Sequence, residues 1–344
     1  MPIITRKAEG THPPSLPRTT LLEIARQFGF SGNIRFKSMR GGAGIFSVSI
    51  SWFRSKGKRY LIKKLKYAKS ESFALYCLDF MRHLADNGIP IPCIKKAGSA
   101  GTHPQDFLAI VDGEYFTLDR FVPGLDIHTK QAPPHVFTNV GEFIAQIHAL
   151  ARIFRTSYAR DADAHTFTLM FDTIKRSDFS RLGTEDRRYI FALIKDLSKY
   201  SWQDAPEMHI LSDGNLGNMK FDATGRPIAL FDWDAPRFGF RFEEILPTTT
   251  QTGREGEGFN LHDHLVSSAI EPFIRGYNSK ARELGQAPFS KAEIELLPFA
   301  HLVLFLFRLS DSRNDPQICL AIVRRAQKIF TGDEWQAYLR SYSA

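Results

Sequence analysis

The feature that most limits the fold is a change of hydrophobic period part-way along the chain. In the first hundred or so residues short apolar runs are separated by turn formers, and after "PGLDI" (123–127) apolar residues recur at helical spacing. "NIRFKSM", "IFSVSISWF" and "RYLIKKLKY" read as strands joined by "RGGAG" and the basic turn "RSKGK". Alternation through Phe46, Val48, Ile50 and Trp52 predicts one strand buried on one face. "DFLAIVDGEYFTLDRFV" predicts a hairpin turning at Asp112-Gly113. Two helices accompany these strands: "TTLLEIARQFGF", and "SESFALYCLDFMRHLADNG" with Ser70 as cap and Gly88 as stop. Past residue 127, "VGEFIAQIHALARIF", "DRRYIFALIKDLSKY" and stretches near 263–284, 290–309 and 315–330 are helical. The expected fold class is α+β, a small β-rich part followed by a larger, mainly helical one. The 344 residues suit about two domains.

Composition narrows the function classes. The net charge is +8, from 45 basic and 37 acidic residues, so the surface favours anionic ligands, nucleotides among them. "RSKGKRYLIKKLKYAK" (54–69) concentrates that charge, but no zinc finger, RNP motif or helix-turn-helix stands beside it, which argues against nucleic acid. Cys77, Cys93 and Cys319 form no C-x-x-C pair and suit a reducing compartment. The first residues carry no apolar signal region, and the most apolar run, 299–309, is too short to span a bilayer. A cytoplasmic protein with no membrane partner is expected. Residues 1–19, with four prolines, read as a flexible tail.

One segment interrupts the helical part. "ILSDGNLGNMKFD" and "ATGRPIALFDWDAP" (210–236) place Asp213, Asn218 and Asp232 around a turn and an apolar strand. Phosphoryl transfer needs a carboxylate near the acceptor hydroxyl, a metal ion on the phosphates and a cation on their oxygens. In kinases the catalytic Asp precedes a metal-binding Asn by five residues, and a second metal-binding Asp follows a short strand. Asp213 and Asn218 have that interval, and "PIALF" delivers Asp232. Asn218 offers an amide oxygen to a hard cation and Asp232 a charged one. Taken singly, Asp and Asn in a D-G-N loop are ordinary turn formers, and Asp234 competes with Asp232. His262-x-His264 has no third ligand at a telling spacing, and His148 reads as a core or capping histidine.

With these residues in place, the chain resembles the aminoglycoside phosphotransferase and choline kinase-like superfamily over roughly residues 30 to 310, including its homoserine-kinase-like and spore-coat-kinase-like branches. "FMRHLADNGIPIP", "LDRFVPGLDI", "GEFIAQIHAL" and the helices from "FIRGYNSK" onward carry the likeness beside the Asp213 phrase. The resemblance implies a bilobal protein-kinase-like fold: an N-lobe at 20–118, a hinge at 119–124 and a C-lobe at 125–344. It implies ATP and Mg²⁺ as cofactors and a small-molecule phosphoryl acceptor such as an amino alcohol, sugar or aminoglycoside. Asp213 matches the catalytic Asp, and Asn218 and Asp232 match the metal ligands. Lys63 matches the phosphate-binding strand lysine, with Lys64 as the alternative. Gly41, Gly42 and Gly44 match the turn over the phosphates, and Asp119 and Phe121 fall in the nucleotide-binding hinge.

The chain departs from the family pattern at four places. Leu211 replaces a His, Ser212 replaces a Gly, and Cys77 falls where a Glu would pair with the lysine; Glu71 would substitute only in another register. In "RFEEIL", Glu243 or Glu244 stands for a later Asp. These departures leave two rival readings open: a catalytically silent nucleotide-binding protein, and a basic nucleic-acid-binding protein that uses 54–69. The sequence sets neither the acceptor nor the oligomeric state.

Overall fold

Hairpins whose turns demand left-handed backbone organise the first part of the chain. Lys56 and Gly57 have φ of 46° and 75°, and Asp112 and Gly113 have 53° and 74°, the pattern of two-residue turns whose twist matches the flanking strands. The structure, a computed structural model, describes residues 16–41, 48–65, 68, 70–158, 167–202, 205–232, 236–249, 251–252, 259–260, 265–310 and 315–342. Strands β1 (Lys37–Gly41), β2 (Val48–Ser55), β3 (Lys58–Lys64), β4 (Ala109–Val111) and β5 (Glu114–Arg120) form an antiparallel sheet in the order β1-β2-β3-β5-β4. Further on, β6 (Glu207–Ile210) pairs with β9 (Arg237–Phe240), and β7 (Met219–Phe221) with β8 (Pro227–Leu230).

Helices α1 (Arg18–Gln27) and α2 (Glu71–Asp86) take opposite faces of the five-stranded sheet. On one face Leu21, Ile24 and Ala25 of α1 pack with Phe53, Tyr60, Ile62, Phe116 and Leu118. Removing each such side chain from water contributes about 1.5–3 kcal/mol. The register Leu61↔Asp119 and Lys63↔Thr117 puts these four residues on the other face, because side chains alternate along each strand. There Leu65 packs with Ala74, Leu75, Leu78 and Met81 of α2. Ser70 caps this helix by accepting the Phe73 N–H at 3.2 Å.

The chain divides into two compact units, one comprising Met1–Ile127, Ile153–Ala162 and Leu216–Pro236, the other His128–Arg152, Asp163–Asn215 and Arg237–Ala344. The hairpin β7–β8 belongs with the sheet unit for a physical reason. Phe221 and Leu125 exchange backbone hydrogen bonds of 2.8 and 3.1 Å, Leu230 donates to the Pro90 carbonyl at 2.9 Å, and Lys220 pairs with Asp126 at 2.5 Å. Gly124 permits this approach, since a Cβ there would lie 3.0–3.1 Å from Lys220, Ile228 and the Phe221 carbonyl.

In the second unit the helices are α3 (Pro134–Ile153, whose last residue falls in the first unit), α4 (Phe167–Arg176), α5 (Thr184–Leu197), α6 (Ile245–Thr249), α7 (Glu271–Glu283), α8 (Lys291–Glu295), α9 (Leu297–Ser310), α10 (Pro316–Thr331) and α11 (Asp333–Ser341). α3 and α7 cross with their backbones in contact. A Cβ on Gly141 would meet the Phe273 carbonyl at 2.1 Å, and one on Gly276 would meet the Thr138 carbonyl at 2.1 Å. The apolar run 299–309 lies in the buried helix α9, and among the described residues no helix is long and apolar enough to cross a membrane. The "GTHPQ" loop is organised by Asp106, whose carboxylate accepts the N–H groups of Gly101, Thr102 and His103. Residues 1–15, Phe46, the "REGEG" loop (254–258), His262 and His264 lie outside the described residues.

Candidate active site

In the sheet unit, β3 presents two adjacent lysines to opposite faces. Lys63 is 5% exposed on the α2 side and forms an ion pair with Asp232. Lys64 lies on the other face, half-exposed, and pairs with Glu114 across the β4–β5 turn. An ammonium on the buried face needs carboxylate partners, because an isolated charge there loses its hydration. Asp232 lies two residues past the end of β8 and has φ of 57°, a left-handed conformation that is uncommon for a non-glycine residue. Asn218 precedes β7, and its carbonyl accepts the Phe231 N–H at 2.7 Å. That bond fixes Asn218 beside the residue that precedes Asp232.

The donor set of one amide oxygen and one part-exposed carboxylate suits a hard divalent cation that keeps waters and phosphate oxygens as its remaining ligands. Among the described residues no group of three His, Cys, Asp or Glu side chains is placed to hold a metal ion. Asp234 lies outside the described residues, as do Gly42 and Gly44; Gly41 is the last residue of β1, opposite Val48. The connection from β1 to β2 therefore leaves the sheet at the end where Lys63 and Lys64 stand.

Asp119 and Phe121 have different surroundings. Asp119 is 2% exposed on the Lys63 face and forms an isolated bridge with Cys93. The Phe121 N–H donates to the Arg59 carbonyl at 2.9 Å, and its ring lies 4.8 Å from the Arg59 guanidinium, which also covers Trp52. The basic run 54–69 is thus divided: Lys56 and Lys58 are exposed at a hairpin tip, Arg59 stacks on rings, Lys63 is buried and Lys64 is paired. No single basic face results from its described residues.

In the helical unit, β6 carries the chain to Leu211, Ser212 and Asp213. The Asn215 amide donates to Asp213 Oδ1 at 2.7 Å, so Asn215 orients that carboxylate. Ser212 has φ of 67° and donates its N–H to Glu244 at 2.9 Å. Glu244, fully buried, also accepts the Leu211 N–H, and a Cβ on Gly214 would lie 3.0 Å from its Oε2. Thr248 ties down the Gly214 carbonyl at 3.1 Å. Burial pushes the Glu244 carboxyl up to about 7, against the opposing pull of the Ser212 N–H and Arg237, and Glu243 adds to the rise. Glu243 has another job: it pairs with Arg237 and accepts the Phe240 N–H at 2.8 Å. Of the two glutamates left open by "RFEEIL", Glu244 is the one that braces the Asp213 loop.

Leu211 is buried, and His209 packs its ring against Phe238. His148 is a core residue bonded through Nδ1 to the Tyr277 hydroxyl at 2.8 Å; burial pushes its pKa down to about 3. Cys77 is buried in α2, and Glu71 is exposed in the first turn of that helix. Thr117 and Cys93, beside Lys63 and Asp119, were not singled out by the sequence. Their signal is three-dimensional: strand pairing alone makes them neighbours of the lysine.

An antiparallel sheet with a buried lysine–aspartate pair, and in the helical unit a braced Asp loop, carry the group types that a phosphotransferase needs. The model of the phosphotransferase enzyme family matches residues 46–277, and the chain belongs to that family. No curated protein sequence matches the chain. Three solved structures illustrate the shared fold. A microcompartment-associated aminopropanol kinase is 13% identical, with a TM-score of 0.65 over 94% of this chain and 98% of its own. The amicoumacin kinase hAmiN, in complex with AMP-PNP and Ca²⁺, is 12% identical, with a TM-score of 0.61 over 95% of each chain. A spectinomycin phosphotransferase in complex with ADP and spectinomycin is 16% identical, with a TM-score of 0.59 over 95% of this chain and 98% of its own.

Proposed function

We propose that the protein transfers the γ-phosphoryl group of ATP, with Mg²⁺, to a hydroxyl group of a small amino alcohol or amino sugar. The observation that carries this reading is the ion pair between buried Lys63 and Asp232, with Asn218 tied by its backbone to Phe231 next door. Lys63 holds phosphate oxygens of the nucleotide, and Asn218 and Asp232 hold the metal ion. Mg²⁺, when bound, neutralises charge on the transferring phosphates. Asp213, oriented by Asn215, positions the acceptor hydroxyl and takes its proton. The hydroxyl oxygen forms a bond to the γ-phosphorus as the bridging P–O bond breaks, and ADP leaves.

Kinases that share the fold, among them an aminopropanol kinase and a spectinomycin phosphotransferase, support the amino alcohol and amino sugar classes. A cytoplasmic setting fits the ATP requirement and the three free cysteines. The test is transfer of labelled γ-phosphate from Mg·ATP into pools of amino alcohols, sugars and aminoglycosides. Label entering one pool, and absent without acceptor, supports the reading. Tight Mg·ATP binding with no transfer to any pool contradicts it.

A further inference from the structure

Beside Lys63, the α2-covered face of the sheet carries polar groups that the reaction as described does not use. Lys63 stands directly opposite Thr117, and Asp119 is the next residue of β5 on that face. All three are at most 5% exposed. A diagonal neighbour on an antiparallel pair lies about 7–8 Å away between Cα atoms, within reach of a lysine side chain. Cys93 joins these groups from the neighbouring segment: its thiol hydrogen-bonds to the Asp119 carboxylate and feels the charges of both Asp119 and Lys63. Burial, followed by the Asp119 charge, holds that thiol well above its ordinary range, so at neutral pH it is a proton donor to Asp119. The Thr117 hydroxyl, fully buried, has no hydrogen-bond partner among the described residues.

On α2, Cys77 is buried and carries no carboxylate, and Glu71 is exposed in the first turn. Asp232 does pair with Lys63, but the same carboxylate is assigned to the metal ion, so its charge is shared once a metal binds. Asp119 is placed on the same buried face, one diagonal step from Lys63, to add a carboxylate that the metal ion does not share.

We infer that Asp119 is a positioning residue for the phosphate-binding lysine: a strand carboxylate that holds Lys63 from the same buried face of the sheet. The nucleotide part of this assignment rests on the proposed function. The side-chain coupling does not.

The experiment is a double-mutant cycle of Asp119→Asn and Lys63→Met, read by Mg·ATP dissociation constants and by urea unfolding. In the wild-type background Asp119→Asn weakens Mg·ATP binding about tenfold, and in the Lys63→Met background by less than about twofold. A second variant, Thr117→Asp with Asp119→Asn, moves the charge directly opposite Lys63 and restores affinity to within about threefold. If Asp119→Asn does not fold but Lys63→Met/Asp119→Asn does, the carboxylate is needed for the ammonium and the assignment stands. Equal losses in both backgrounds, failure of both to fold, or no loss in either overturns it. Absence of Mg·ATP binding by wild type would refute the proposed function, while coupling in urea unfolding would still decide the pairing.

Discussion

Replacing Glu244 by glutamine should remove a pH dependence from the stability of the Asp213 loop. Burial raises this carboxyl from an ordinary 4.5 to about 7 in the folded protein. The folded state therefore holds the proton more tightly than the unfolded chain does. The resulting stabilisation is fully present below pH 4.5 and is lost as the pH rises through about 7. With ~1.4 kcal/mol for each pKa unit, the full contribution is about 3.4 kcal/mol. Between pH 5 and pH 8 wild type should lose about 2.5 kcal/mol relative to Glu244→Gln. The assay is urea unfolding of both proteins at pH 5, 6, 7 and 8, taking the difference at each pH. Glu243 and the buried histidines are present in both proteins and cancel to first order. A difference that stays flat within about 1 kcal/mol would refute the reasoning, because the carboxylate would then be no harder to ionise in the fold than in water.

Three further outcomes follow from the same geometry. Ser212→Gly should stabilise the protein by about 1 kcal/mol in urea unfolding, since the φ of 67° is strained for serine and the N–H to Glu244 is kept; destabilisation would contradict this. Gly276→Ala should cost about 3 kcal/mol, because its Cβ would lie 2.1 Å from the Thr138 carbonyl and the backbones of α3 and α7 would have to separate; an unchanged unfolding midpoint would count against the crossing. His148, neutral in the fold and held down to about 3 by burial, must gain a proton on unfolding below pH 6.5, so stability is lost as the pH falls. His148→Gln should therefore be about 2 kcal/mol less acid-sensitive than wild type between pH 7 and pH 5, measured by urea unfolding at the two pH values.

Local features of this fold could be read from the sequence, and pairings between distant segments could not. Asp112-Gly113 marks its hairpin because few residues tolerate two successive left-handed conformations. Ser70 and Gly88 bracket α2 for similarly local reasons. The alternation in "YLIKKL" requires Lys63 and Lys64 to face opposite ways but does not say which face is buried. That depends on α2 packing over Leu65 and on Asp232 arriving from more than 150 residues away in sequence, far beyond the reach of any local pattern. The same holds for Glu243 and Glu244, separated only once Arg237 and Ser212 are in place. α4 shows helical spacing through Phe167, Met170, Phe171 and Ile174 yet lay outside the expected helices, and α11, which buries Trp335 alone, gives almost no periodic signal. The contact of Cys93 with Asp119 follows only from strand order.

The central claim is that Asp213 acts on the acceptor hydroxyl while Lys63 and Asp232 serve the nucleotide. The most direct measurement compares wild type with Asp213→Asn for acceptor-dependent phosphate transfer and, in the same preparations, for Mg·ATP affinity. The account predicts a loss of about a hundredfold or more in transfer, the scale of a positioned general base, with the Mg·ATP dissociation constant unchanged within about twofold. Undiminished transfer by Asp213→Asn would contradict it.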